Sequence, residues 1–135
     1  MVCASVLGAV YISKHVTQEK IITPDDSSIP GVLVNGPFTL KAQADIIRHH
    51  TLTMTGGKTY AEMPREIQKL DANGSVVLGQ DGKPVMVANT ARDIWITATT
   101  LTTALNVGIL SYAFAGLVFI LGIIFVLIGL VFKSV

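Results

Sequence analysis

The chain has 135 residues, 10 Lys/Arg against 9 Asp/Glu for a net charge of +1, and half of its residues are hydrophobic. That size allows one small domain plus membrane segments, and the near-neutral balance excludes both the basic footprint of a nucleic-acid binder and an acidic tail. A single cysteine, Cys3, excludes an internal disulfide and any CxxC redox or zinc motif; inside its apolar run it reads as a small packing residue.

Met1 to Ile12 is apolar and uncharged, and Ser13, Lys14 and His15 close the run. Twelve helical residues cover only ~18 Å, short of a bilayer. No basic segment precedes the run and no small-x-small cleavage site follows it, so it does not read as a signal peptide. Residues 1–13 are read as the second half of a transmembrane segment that begins upstream, with a short helix packed on partner subunits as the alternative. Ser5, Ala9 and Ser13 form a small-xxx-small ladder suited to helix packing, as do Ala4 and Gly8.

Val16 to Pro37 is rich in Pro, Gly, Asp and Asn and reads as a connector with a short extended piece at Val32–Val34. From Phe38 to Thr55, Leu40, Ala44, Ile47, Thr51 and Met54 recur at helical spacing, and Gly56-Gly57 supplies a stop. A second helix is expected over Tyr60–Leu70, kinked or restarted at Pro64. Ser75–Leu78 and Pro84–Ala88 are β-prone runs joined by Gly79–Lys83, the pattern of a short hairpin. A lone hairpin is marginal, so it should lie on the helices or on a partner.

Ile94 to Phe132 contains no charged residue, and Val107 to Phe132 is almost wholly apolar. About 20 apolar residues cross a hydrocarbon core of roughly 30 Å. This stretch is therefore the membrane span, and its Thr-rich first part (Thr97 to Thr103) projects from the membrane. Gly108, Ala115, Gly122 and Gly129 fall seven apart, on one seam of a left-handed helix pair, where small residues let backbones approach. No ionisable residue lies inside the span, so it offers no proton relay or ion path.

The fold class expected is thus a mainly α membrane protein: an N-terminal segment at 1–13, a small α-rich domain with a short β-hairpin at 14–93, and a Thr-rich helical lead with the C-terminal transmembrane helix at 94–135. Lys133 pulls the C-terminus inside, while Lys14 and Lys20 on the domain side pull the other way, so charge alone does not orient the chain.

Chemical motifs are sparse. Asp45, His49 and His50 are the only metal-ligand candidates, with Asp45 and His49 at i, i+4 on the helix. His49 and His50 point about 100° apart on a helix, so a third ligand such as His15 or Glu62 would have to arrive from elsewhere. The alternative for Asp45 and His49 is a modest surface pair. Gly56-Gly57-Lys58-Thr59 has a P-loop ending, but Leu52 stands where the first glycine belongs. Asp71, Asn73 and Ser75 begin like a calcium loop, but Val76 and Gly82 occupy the positions that need Gly and Glu. Asn73-Gly74-Ser75 is formally a glycosylation sequon.

Four segments, ITPDD (22–26), VNGPFT (34–39), AQADIIRHH (42–50) and GGKTYAEMP (56–64), resemble a family of small actinobacterial membrane proteins often labelled aromatic ring-opening dioxygenase. TATTLTTALN, before the final span, is loosely similar. The resemblance implies two spans with a short extracytoplasmic domain between them, and His49 and His50 stand at the matching positions. By analogy with small two-span subunits, it suggests a respiratory supercomplex of the cytochrome bcc–aa3 type as host.

The function expected is that of a non-catalytic accessory subunit, without cofactor, acting by helix packing through Gly108, Ala115, Gly122, Gly129, Ser5 and Ala9. Its partners would be the lipid bilayer and other membrane subunits, not nucleic acid. The rivals are a metal-dependent oxygenase using Asp45, His49 and His50, and an envelope-anchored binding module.

Overall fold

The computed structural model describes residues 1–134; Val135, the end of the expected 94–135 segment, lies outside the described residues. The fold is mainly helical: α1 (Val2–Gln18), α2 (Pro37–Met54), a single 3-10 turn at Tyr60–Glu62, strands β1 (Glu66–Gln68) and β2 (Met86–Ala88), and α3 (Thr90–Ser134). The chain divides into two units, Met1–Ile47 with residues 101–134, and Arg48–Thr100.

In the first unit α1 runs five residues past its expected end at Ser13. Lys14 and His15 are polar but helix-compatible, and the Thr17 hydroxyl donates back to the Ser13 carbonyl at 3.0 Å. The connector is more ordered than its composition suggests. Ile22 bridges Leu33, Thr23 N–H donates to the Val32 carbonyl at 3.0 Å, and Val34 N–H to the Ile21 carbonyl at 2.8 Å. Thr23, 1% exposed, ties the loop from within: its hydroxyl accepts from Val32 N–H at 3.0 Å and donates to the Ile29 carbonyl. Val34 and Leu40 complete the most buried set.

α2 begins where Pro37 supplies a helical φ at the first position. The Thr39 hydroxyl accepts from the Asn35 and Gly36 N–H groups at 3.0 and 3.1 Å, fixing the chain as it enters the helix. Leu40, Ala44 and Thr51 of the expected apolar face are buried, whereas Met54, in the last position of the helix, is exposed.

In the second unit the α2 stop is a Schellman turn. Gly57 N–H donates to Leu52 O at 2.7 Å and Gly56 N–H to Thr53 O at 3.3 Å, with both glycines at positive φ.

The helix expected over Tyr60–Leu70 is not formed. One 3-10 turn, opened by a Thr59/Glu62 capping box, ends at Met63, whose φ of −95° and ψ of 136° are extended. Pro64 dictates this, because its ring disfavours the helical region for the residue before it. The chain then enters β1, which pairs antiparallel with β2 in the register Gln68↔Met86. The hairpin turn at Gly79–Lys83 is formed as expected, but its bridges are single pairs, and among the described residues the one ladder runs from β2 to a segment expected as helix.

Three short segments close on one another. Leu70 bridges Val76, Leu78 bridges Pro84, and Met86 pairs with Gln68. Lys69 N–H donates to Val85 O, Val85 N–H to Val77 O, and Val77 N–H to Lys69 O, at 2.8, 2.9 and 2.9 Å. The three residues are spaced by eight. The two turns match as well: Gly74 N–H donates to Asp71 O and Gly82 N–H to Gly79 O, each glycine at positive φ.

α3 is one helix of 45 residues, ~68 Å long. It starts four residues before the expected Ile94 because Asn89 caps it: Ala91 N–H donates to Asn89 Oδ1 at 3.2 Å. The Asn89 amide also donates to the Pro64 carbonyl at 3.0 Å, fixing the chain as it enters β1. Among the described residues, α3 is the one helix long and apolar enough to cross a membrane. α1 has 17 residues.

Candidate functional site

Small residues on the first unit's helices decide how closely their backbones approach. A Cβ at Gly122 would fall 2.8 Å from Val2 Cγ2 and 3.0 Å from the Val2 backbone nitrogen, so the start of α1 lies directly on α3 there. A Cβ at Gly108 would fall 3.1 Å from Leu40 Cδ1 of α2. Gly129 meets nothing within 4 Å. Two glycines of the stripe spaced by seven therefore meet different neighbours, and Gly129 meets none. Ser5, 6% exposed, donates to the Val2 carbonyl of its own helix at 2.7 Å, and Ala9 is half-buried.

α1 and α3 run antiparallel and leave an open groove of about 670 Å³. Ala4, Ser5 and Gly8 line it from α1, and Leu110, Phe114 and Ala115 from α3. Two of its three hydroxyls are turned to backbone, Ser5 to Val2 O and Ser111 to Val107 O at 2.8 Å, and the third belongs to Tyr11. At the polar end the Asn35 carbonyl accepts from both the Ser13 hydroxyl of α1 and the Tyr112 hydroxyl of α3, each at 3.0 Å. One backbone carbonyl thus ties both helices to the loop before α2.

The three metal-ligand candidates are not brought together. The Lys41 ammonium takes the Asp45 carboxylate, 2.5 Å from each oxygen. The His49 and His50 rings lie 6.1 Å apart with planes 53° from parallel. Among the described residues no three His, Cys, Asp or Glu side chains are grouped to hold a metal ion. The His15 ring lies 4.3 Å from that of Tyr11 with planes 58° apart, and Glu62 is spent in its capping box.

Trp95 and Arg92 organise the second unit. The Trp95 indole N–H donates to the Lys58 carbonyl at 2.8 Å and to Thr55 Oγ1 at 3.2 Å, while the Arg48 guanidinium lies 5.5 Å from its ring. Arg92 sits 3.9 Å above the Tyr60 ring and donates to the Met63 carbonyl at 2.6 Å. These contacts hold the irregular stretch 58–64 on α3. The Thr59 hydroxyl and backbone N–H both donate to Glu62 Oε2 at 2.7 Å, and together with Lys58 they hold the Glu62 carboxyl below its ordinary value. Lowering in the folded state means that the cap contributes above the usual carboxylate pKa of about 4.3 and is lost as pH falls through the folded value. Amide exchange at Thr59 is expected to quicken as the solution is acidified through that window, after correction for intrinsic rates. Glu62→Ala is expected to abolish the step.

The ring of short β segments presents its equivalent residues outward. Leu70, Leu78 and Met86, again eight apart, are 56%, 59% and 48% exposed. Sequence reasoning missed this trio because β1 was assigned to a helix; the recurrence of Gly74 and Gly82 eight residues apart was the available signal. No family model, no curated protein and no solved structure matches this chain.

Proposed function

We propose that the chain is a non-catalytic accessory subunit of a multi-subunit membrane complex, anchored by α3 in the plasma membrane with its intervening domain extracytoplasmic. The observation that carries this reading is the exposed trio of Leu70, Leu78 and Met86 on a ring closed by three backbone hydrogen bonds. Large apolar side chains held outward on a rigid support suit a protein interface. The anchor supports the same reading: apolar, uncharged from Ile94 to Phe132, and without a candidate proton or ion path. The oxygenase reading gains nothing from the geometry, since Lys41 occupies Asp45 and the two histidines diverge. The resemblance to small two-span actinobacterial membrane proteins supplies the host, a respiratory supercomplex of the cytochrome bcc–aa3 type.

Tagged protein purified in mild detergent from an actinobacterial membrane is expected to carry haem b, c and a absorbance at near-stoichiometric levels. Recovery as a lone haem-free monomer would refute the assignment. Replacing Leu70, Leu78 and Met86 together by serine is expected to lower haem recovery at least about tenfold, the equivalent of one modest interface hot spot. Because all three are exposed, the variant should keep the wild-type thermal midpoint in detergent. Unchanged recovery would remove the ring from the interface.

A further inference from the structure

The level of the membrane boundary on α3 follows from its far end. About 20 apolar residues cross the hydrocarbon core. Counted back from Lys133, the first charge after the span, such a run ends at Ala113. Tyr112 then stands at the boundary, where tyrosine is favoured because its ring is apolar and its hydroxyl wet. That hydroxyl donates to the Asn35 carbonyl at 3.0 Å, and the Ser13 hydroxyl of α1 donates to the same oxygen at 3.0 Å. α1 changes character here as well, its apolar run ending at Ile12 before Ser13 and Lys14. Asn35 is therefore held at the headgroup level by both helices.

α2 leaves this point away from the membrane. A Cβ at Gly108 would meet Leu40 Cδ1 at 3.1 Å, and Gly108 lies one turn of α3, ~6 Å, outside Tyr112. The N-terminus of α2 is thus its membrane end. Cα–Cβ bonds tilt toward the N-terminus of a helix, so the side chains of this first turn lean toward the bilayer. Val34 and Leu40 turn inward, at 0% and 2% exposure, but Phe38 between them is 79% exposed. The same exposed face becomes charged one turn farther out, where Lys41 pairs with Asp45. An apolar residue at the membrane end with charges beyond it is the order that a bilayer surface imposes.

We propose that Phe38 inserts into the bilayer at the boundary between headgroups and hydrocarbon, and so ties the start of α2 to the membrane surface. Its partner is the lipid itself, continuous with the lipid that surrounds α3. A phenyl ring held in water at this level would forgo apolar burial that lies within its reach. The proposal rests on α3 being the membrane span and is independent of the accessory-subunit reading.

Spin labels on single cysteines test it, in the full chain with Cys3→Ser, reconstituted into phosphatidylcholine vesicles. The sites are Phe38→Cys, Leu117→Cys in the span and Gln80→Cys in the exposed hairpin turn. Oxygen concentrates in hydrocarbon and a nickel chelate in water, so the ratio of their collision rates reads depth. The ratio at 38 is expected to lie several-fold above that at 80 and below that at 117. A ratio at 38 as low as at 80, with 117 in lipid, would overturn the proposal and leave the span standing. A low ratio at 117 would overturn both. A label at 38 reached by neither agent would assign Phe38 to a second copy and overturn the proposal as well. In nanodiscs, without labels, Phe38→Ser is expected to speed amide exchange in the first two turns of α2 at least about fivefold, or ~1 kcal/mol. Phe38→Trp should restore the protection, since tryptophan is favoured at the same level. Exchange unchanged by Phe38→Ser would count against the tie.

Discussion

Gly122→Leu is expected to lift the first turns of α1 from α3, whereas Gly129→Leu, on the same seam, is expected to change nothing. At Gly122 even a methyl group meets Val2, including its backbone nitrogen at 3.0 Å, and backbone cannot be moved aside like the tip of a side chain. Overpacking of this kind costs about 1–3 kcal/mol, and Leu adds three further carbons to the same space. Gly129 has open space around it. Cys3 is the sole cysteine and lines one small hollow with Gly122 and Phe125, so Phe125→Cys makes a reporter pair for a short bis-maleimide. Cross-linking in detergent should fall about tenfold or more on adding Gly122→Leu and stay constant with Gly129→Leu. Equal yields for both would show that the approach of α1 to α3 does not depend on that glycine.

Trp95→Ala is expected to be the most damaging single change in the second unit. Trp95 is 6% exposed, and truncating a buried aromatic costs about 3–5 kcal/mol. The change also strips the Lys58 carbonyl of its 2.8 Å donor and removes the surface beneath Arg48. Stretch 58–64 has little regular structure of its own, so loss of the indole should release it first. Hydrogen exchange should show faster amides from Lys58 to Gln68, with the membrane part of α3 unchanged. Trp95→Phe separates the two contributions: it restores most of the packing but not the hydrogen bond, and should cost about 1–3 kcal/mol. If Trp95→Ala leaves exchange over 58–68 unaltered, the indole is not what holds the stretch in place.

How much of this was legible depended on whether the controlling interaction was local. α2 could be read because Leu40, Ala44 and Thr51 repeat with the helical period and Gly56-Gly57 supplies the stop beside them, although Ala42 and Ile46, off that face, are buried as well and Ile47, on it, is only half-buried. The length of α3 could be read because nothing in it interrupts a helix or brings a charge into the span. β1 was hidden because its partner, β2, follows about twenty residues later, and helix-compatible residues such as Glu66 and Gln68 carry no mark of that pairing. Pro64 carried the decisive local information, through the residue before it rather than the one after. In the connector, Thr23 binds groups nine residues away, which turn-forming composition does not disclose. For the stripe, spacing by seven placed Gly108, Ala115, Gly122 and Gly129 on one seam; that Gly108 meets Leu40, Gly122 meets Val2 and Gly129 meets nothing is set by where α1 and α2 lie. Asp45 had two possible partners a helical turn away in opposite directions, and the longer, flexible Lys41 engages it.

The ring of short segments has a consequence for how the chain behaves outside any complex. A strand with one unpaired edge is a template onto which another chain can add, and apolar side chains beside it make that addition favourable. Here each segment spends one N–H and one carbonyl on the other two, at Lys69, Val77 and Val85, so at that level the ring leaves no backbone group for an added strand. Leu70, Leu78 and Met86 can therefore stay exposed without inviting β-polymerisation. Association through them depends on the shape of a partner's side chains rather than on its backbone.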